Sequence, residues 1–118
     1  MNLDLQARSF RLTKALRHYI KQRLVVAIDA GGEDIRRINV RLSDINGPHG
    51  GIDKRCHLHL IVPHLPDIII QETQQNMYSA IDRAIERARG VLVRKISRRR
   101  DRKRSASSLR EYATLAGT

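Results

Sequence analysis

Between about Gln75 and Arg104 the chain changes character within a single element, and few folds accommodate that. Met77, Ala80, Ile81, Ala84, Ile85, Ala88, Leu92 and Ile96 recur at the i, i+3, i+4 spacing of one helix face. Beside that stripe run Arg83, Arg87, Arg94 and Arg98, four to seven residues apart and nearly in line. After Ile96 the stripe ends, and Ser97-Arg98-Arg99-Arg100-Asp101-Arg102-Lys103-Arg104 is basic on every side, with nothing apolar to pack. One end of this helix belongs to a core, and the other calls for a polyanion.

Charge supports that division. The chain has 118 residues and a formal net charge of +11, with 23 Lys and Arg against 12 Asp and Glu. That length suits one domain with a core that needs no disulfide or metal staple. A single cysteine makes no internal disulfide, as expected of a reducing compartment. No apolar run reaches the roughly 20 residues of a membrane-spanning helix. Met1-Asn2-Leu3-Asp4 has neither the basic nor the apolar region of an export signal, so the expected location is cytoplasmic, away from membranes. A basic cytoplasmic chain whose charge is clustered points to nucleic acid.

The remaining elements follow from periodicity. Leu3 to Arg8 alternates apolar and polar residues, as a half-buried strand does. Thr13 can cap a helix in which Leu16, Tyr19, Ile20, Leu24, Ala27 and Ile28 form the inward stripe, with Gly31-Gly32 as its stop. Lys14, Arg17 and Lys21 lie opposite that stripe as a second basic line. Ile38, Val40 and Leu42 alternate with Arg37, Asn39 and Arg41. Asp44 to Gly51 has turn chemistry. Cys56, Leu58, Leu60 and Val62 then alternate with Arg55, His57 and His59. Pro63 to Asp67 makes a further turn, Ile68 to Glu72 a short fourth strand, and Thr73 or Asn76 can cap the long helix. The expected fold is α+β, β-α-β-β-β-α, with a four-stranded sheet and two helices on one face. The last three strands should form an antiparallel meander. The domain is expected over 1–104, with 105–118 as a short flexible tail lacking a sustained period.

Little in the chain suggests chemistry. Period two sends Cys56 to the face opposite His57 and His59, and no CxxC or HExxH accompanies them, so no metal is expected. Asp44, Asn46, Gly47 and Asp53 have the wrong spacing for a calcium loop. Gly50-Gly51 is not followed by Lys-Ser or Lys-Thr, which excludes a phosphate-cradling loop. No nucleophile, base and orienting group assemble, so neither catalysis nor a cofactor is expected.

The manner of binding is also constrained. Aromatic residues make up 3% of the chain, as Phe10, Tyr19, Tyr78 and Tyr112. A single-strand reader needs exposed aromatic platforms for stacking, and this sheet offers none. A structured RNA held by shape and phosphate contacts fits better. The basic extension is richer in Arg than in Lys, which favours forked contacts to phosphate.

Asn76-Met77-Tyr78-Ser79-Ala80-Ile81-Asp82, at the start of the long basic helix, resembles the signature of the ribosome hibernation-promoting factor and ribosome-associated inhibitor family, whose usual form begins Asp-Met-Tyr. Leu12 to Ile20 is similar to the first helix of that family. Val40 to Gly51 and Asp53 to Cys56 resemble its short single-domain branch. The resemblance runs from Leu3 to Arg104 in unbroken order.

It implies the β-α-β-β-β-α fold and binding to the small ribosomal subunit near the decoding centre. It further implies exclusion of messenger and transfer RNA, and silencing of ribosomes in stationary phase or stress. The residues it implies for ribosomal RNA contact are Lys14, Arg17, Lys21, Arg83, Arg87, Arg94, Lys95, Arg98, Arg99, Arg100, Arg102, Lys103 and Arg104. The long form adds a C-terminal dimerisation domain, for which 118 residues leave no room. A chain that is monomeric off the ribosome is therefore expected, with a small ribosome-dimerising partner as a further possibility. The competing reading is a general structured or double-stranded RNA-binding module, or an RNA chaperone. A small metal-dependent enzyme using the histidines is the outlier.

Overall fold

A computed structural model describes residues 2–8, 10–29, 35–45 and 53–116, with the backbone alone at 29 and from 103 onward. The elements, in chain order, are β1 (Asn2–Arg8), α1 (Lys14–Asp29), β2 (Arg37–Asp44), β3 (Lys54–Ile61), β4 (Ile68–Gln74) and α2 (Met77–Ala116). This is the expected β-α-β-β-β-α order. The expected Gly31-Gly32 stop and most of the Asp44–Gly51 turn lie outside the described residues. The hydrogen bond from Ile45 N to Asp53 O, 2.9 Å, closes the base of that turn.

The sheet order is β1-β2-β3-β4. β2, β3 and β4 form the expected antiparallel meander, Val40 facing Leu58 and Leu58 facing Ile70. β1 pairs parallel to β2, with Leu3 opposite Ile38 and Leu5 opposite Val40. A parallel neighbour needs a crossover connection, and α1 supplies it.

Alternation then divides the sheet into a buried face and an open one. Ile38, Val40, Leu42, Cys56, Leu58, Leu60, Ile68 and Ile70 are buried beneath the helices. From α1 the core receives Leu16, Ile20, Leu24 and Ile28, and from α2 the stripe Ala80, Ile81, Ala84, Ile85, Ala88, Leu92 and Ile96. The alanines keep one flank of α2 thin, so the helix lies close across β3 and β4 with α1 beside it. Both helices cover one face, as expected. Each fully buried Ile or Leu contributes about 1.5–3 kcal/mol, so this two-layer core dominates stability.

The caps are local. Thr13 Oγ1 accepts from Leu16 N at 3.2 Å at the start of α1. Asn76 Oδ1 accepts from Tyr78 N at 2.8 Å and opens α2. Thr73, the other candidate, is instead paired with Arg55 in the sheet. Helix α2 continues through residues 105–116, the stretch expected as a tail. No Pro or Gly interrupts the chain between Gly90 and Gly117, and Ala, Leu, Arg and Glu there are good helix formers, so nothing local ends the helix earlier.

Candidate RNA-binding surface

The basic lines on the two helices are held in place by a clasp between them. The Tyr19 hydroxyl donates to Asp82 Oδ1 at 2.5 Å, and Arg23 Nε reaches the same oxygen at 3.1 Å. The hydrogen bond to Asp82 and partial burial raise the Tyr19 pKa above its ordinary value. Tyr78 meets Tyr19 edge to face, ring centroids 4.8 Å apart and planes at 76°. Met77 packs against the core, and Ala80 and Ile81 are wholly buried. The Met-Tyr-x-Ala-Ile-Asp element is thus explained by packing. It fixes α2 against α1, and the basic residues stand on the surfaces that remain.

On α1, Lys14, Arg17 and Lys21 are exposed. On α2, Arg83, Arg94, Arg98, Arg100 and Arg102 are exposed, and none has an ion pair among the described residues. The side chains of Lys103 and Arg104 lie outside the described residues. Arg89, also exposed on α2, escaped the sequence argument because it is out of line with Arg83, Arg87, Arg94 and Arg98.

Two parts of the basic surface differ from their expected surroundings. Arg87 is tied to the sheet, with Nη1 2.6 Å from Glu72 Oε1 and 3.2 Å from the carbonyl oxygen of Gln71. Its partner is far away in sequence, so periodicity gave no sign of it. Half of the side chain stays exposed, which leaves part of the guanidinium fork open. The basic run also has an apolar neighbour after all. Lys95 and Arg99 are half-buried and, with Arg98 and Arg102, line a hollow of about 240 Å³ with His64, Leu65 and Pro66. Long basic stems cover apolar surface while their charged ends reach water. The turn behind this hollow has Pro63 followed by His64 at φ 67°, with Leu65 N donating to Val62 O at 3.3 Å, the pattern of a type II turn.

The open face of the sheet carries Arg37, Asn39, Arg41, Arg55, His57 and His59, the side to which alternation assigns them. His59 Nε2 lies 2.9 Å from Asp67 Oδ2. Among the described residues no cluster of three His, Cys, Asp or Glu could hold a metal ion. Asp44 and Asp53 share the ammonium of Lys54, at 2.7 and 3.2 Å. Burial, with a smaller contribution from Glu72, pushes the Cys56 thiol up to about 12, so it stays protonated and unreactive. No described helix is long and apolar enough to cross a membrane.

Residues 3–104 match the profile of the family described as sigma 54 modulation protein / S30EA ribosomal protein. No curated protein matches the sequence. The N-terminal domain of protein Y from Thermus thermophilus superposes with a TM-score of 0.66 at 24% identity, over 80% of this chain and 98% of that one. A ribosomal subunit interface protein from Coxiella burnetii superposes with a TM-score of 0.70 at 16% identity, over 82% of this chain and 99% of that one. At these identities the likeness is one of fold.

Proposed function

Because this chain belongs to the sigma 54 modulation protein / S30EA ribosomal protein family, whose members are ribosome-associated and non-enzymatic, we propose that it binds the small ribosomal subunit near the decoding centre and silences translation by occupancy. The observation that carries the reading is the set of exposed cations on α2, with Arg83 and Arg94 on the part of the helix locked to the core, Arg98 and Arg102 continuing their line past Ile96, and Arg100 on another side. Ribosomal RNA is a fixed array of phosphates. Guanidinium groups without an ion pair among the described residues meet it without first losing internal partners. Lys14, Arg17 and Lys21 extend the basic surface across α1, and the segment Lys95 to Arg104 extends it beyond the core.

Inhibition follows from exclusion. A folded domain lodged where messenger and transfer RNA run would block both without altering any covalent bond. The solved fold of a protein described as a ribosomal subunit interface protein supports this reading. In the test, purified protein is added to salt-washed small subunits with and without messenger RNA and initiator transfer RNA. Competition by the two RNAs is expected. Binding that is indifferent to them would move the site elsewhere. Equal affinity for unrelated structured RNA would favour a general RNA-binding module.

A further inference from the structure

The face of the sheet turned away from the helices contains a basic hollow that the ribosomal reading does not use. It has a volume of about 390 Å³, and its lining includes Arg8, Arg41, Ser43, Arg55, His57 and Gln71. Register explains why these residues converge. Arg8, Ser43 and Arg55 are direct neighbours across β1, β2 and β3, and Gln6, Arg41 and His57 form the next row. Arg41 is therefore diagonal to both Arg8 and Arg55 on the same face, within reach of a shared ligand for side chains this long. Three arginines and one serine thus line the same hollow.

Among the described residues no carboxylate lines the hollow. The acids on this face stand at its other end, where Asp4 pairs with Arg37 at 3.8 Å and Asp67 with His59 at 2.9 Å. Arg8, Arg41 and Arg55 have no ion pair among the described residues. The Nε–H of Arg55 is buried without an acceptor among the described residues. A buried charged donor left unsatisfied is costly, and three like charges held together repel, so the arrangement favours an anion that answers both. A tetrahedral oxyanion accepts from several guanidinium forks and a hydroxyl together, whereas a planar carboxylate offers fewer acceptor directions.

We propose that this hollow is a second anion site, built for a phosphate group, with Arg8, Arg41 and Arg55 as its cationic walls and Ser43 as its central donor. The site goes beyond the ribosomal reading and lies on the opposite side of the sheet from the helices. The phosphate can belong to an RNA strand or to a free nucleotide, and both present the same group.

The test follows the arginine Nε–H resonances of the full chain by NMR. Inorganic phosphate is titrated against chloride at matched ionic strength, and adenosine monophosphate and an adenylate oligonucleotide serve as further arms. Saturable movement of the Arg55 signal is expected with phosphate and not with chloride. Arg8→Gln with Arg41→Gln, both exposed positions, should weaken the response about tenfold or more while Arg55 remains as the probe. Arg94→Gln with Arg98→Gln should leave it unchanged. Tighter saturation by the oligonucleotide assigns the site to RNA, and tighter saturation by the nucleotide assigns it to a free ligand. A response equal to that of chloride, or one that survives in the Arg8/Arg41 variant, overturns the proposal. No ribosome takes part, so failure here leaves the ribosomal reading intact.

Discussion

Arg87 stands in the basic row of α2 and yet is bound to Glu72 of β4, Nη1 to Oε1 at 2.6 Å. One side chain therefore fastens helix to sheet and, in the proposed function, also belongs to the RNA-facing charge. The two roles separate by comparison with Arg94, which has no such partner among the described residues. Arg87→Glu sets two carboxylates against each other where Glu72 is mostly covered, and should cost about 1–3 kcal/mol. Arg94→Glu should stay within about 0.5 kcal/mol of the parent. Urea unfolding measures both, and equal stabilities would show that the Glu72 contact contributes nothing. Both variants should lose affinity for ribosomes.

Ile85 is 2% exposed at the centre of the α2 stripe. Its replacement by Ala should destabilise the fold by about 2–5 kcal/mol, through reduced burial and the cavity left behind. Val93 is apolar too but 46% exposed, and Val93→Ala should change stability by under about 0.5 kcal/mol. Similar losses at the two positions would mean that the helix is rotated from the orientation described.

The buried thiol gives a dependence on pH. Burial raises the folded-state Cys56 pKa from 9.0 to about 12. The native state therefore holds its proton across a window in which the unfolded chain releases it. Stability from this group is complete below the unfolded value and is lost as pH rises, at about 1.4 kcal/mol for each unit within the window. Cys56→Ala should flatten the alkaline limb of the stability curve relative to the parent. Identical slopes between pH 9 and 10.5 in the two proteins would contradict the assignment (about 2 kcal/mol of difference is expected). Thiol reagents at neutral pH should modify Cys56 only as fast as the protein unfolds.

Truncation isolates the basic run. A chain ending at Arg104 retains all four strands, the core part of α2 and the run itself. A chain ending at Ile96 retains the last residue of α2 found buried among those described and loses the run. Both should fold. The first should inhibit cell-free translation like the parent, and the second only at much higher concentration. The log–log salt dependence of ribosome binding should also flatten in the second chain, by about 0.7–0.9 for each phosphate it no longer neutralises. Unchanged inhibition by the shorter chain would reduce the run to an ordinary solvated helix end.

Much of this fold is legible from periodicity, because each element has one wet side and one dry side. Ile38, Val40 and Leu42 mark their face of β2 by alternation alone, and Leu16, Ile20, Leu24 and Ile28 mark α1. Contacts that depend on register are not legible in this way. The parallel pairing of β1 with β2 joins segments separated by the whole of α1, and either direction would bury the same leucines. The bond from Arg87 to Glu72 and the meeting of Lys95 and Arg99 with Leu65 and Pro66 arise between elements whose relative height no local pattern records. The same holds for the sheet hollow. Alternation sends Arg41 and Arg55 to the open face, but only the register places Arg8 beside them.

Past Ile96, α2 has no buried residue among those described and carries a dense basic sequence. Arg98 and Arg102, Arg99 and Lys103, and Arg100 and Arg104 are like-charged pairs four residues apart. Each such pair opposes the helix by about 0.2–0.5 kcal/mol, and Asp101 offers little relief. A phosphate array that neutralises these charges removes the penalty, so occupancy and helicity reinforce each other at this end of the molecule. Added salt would then act in two opposed ways, weakening each phosphate contact while easing the repulsion within the unbound helix. Helical ellipticity should rise when a polyphosphate binds at low salt, and the rise should shrink as salt is added. The end of α2 most exposed to its own charge is thus the end whose order depends most on company.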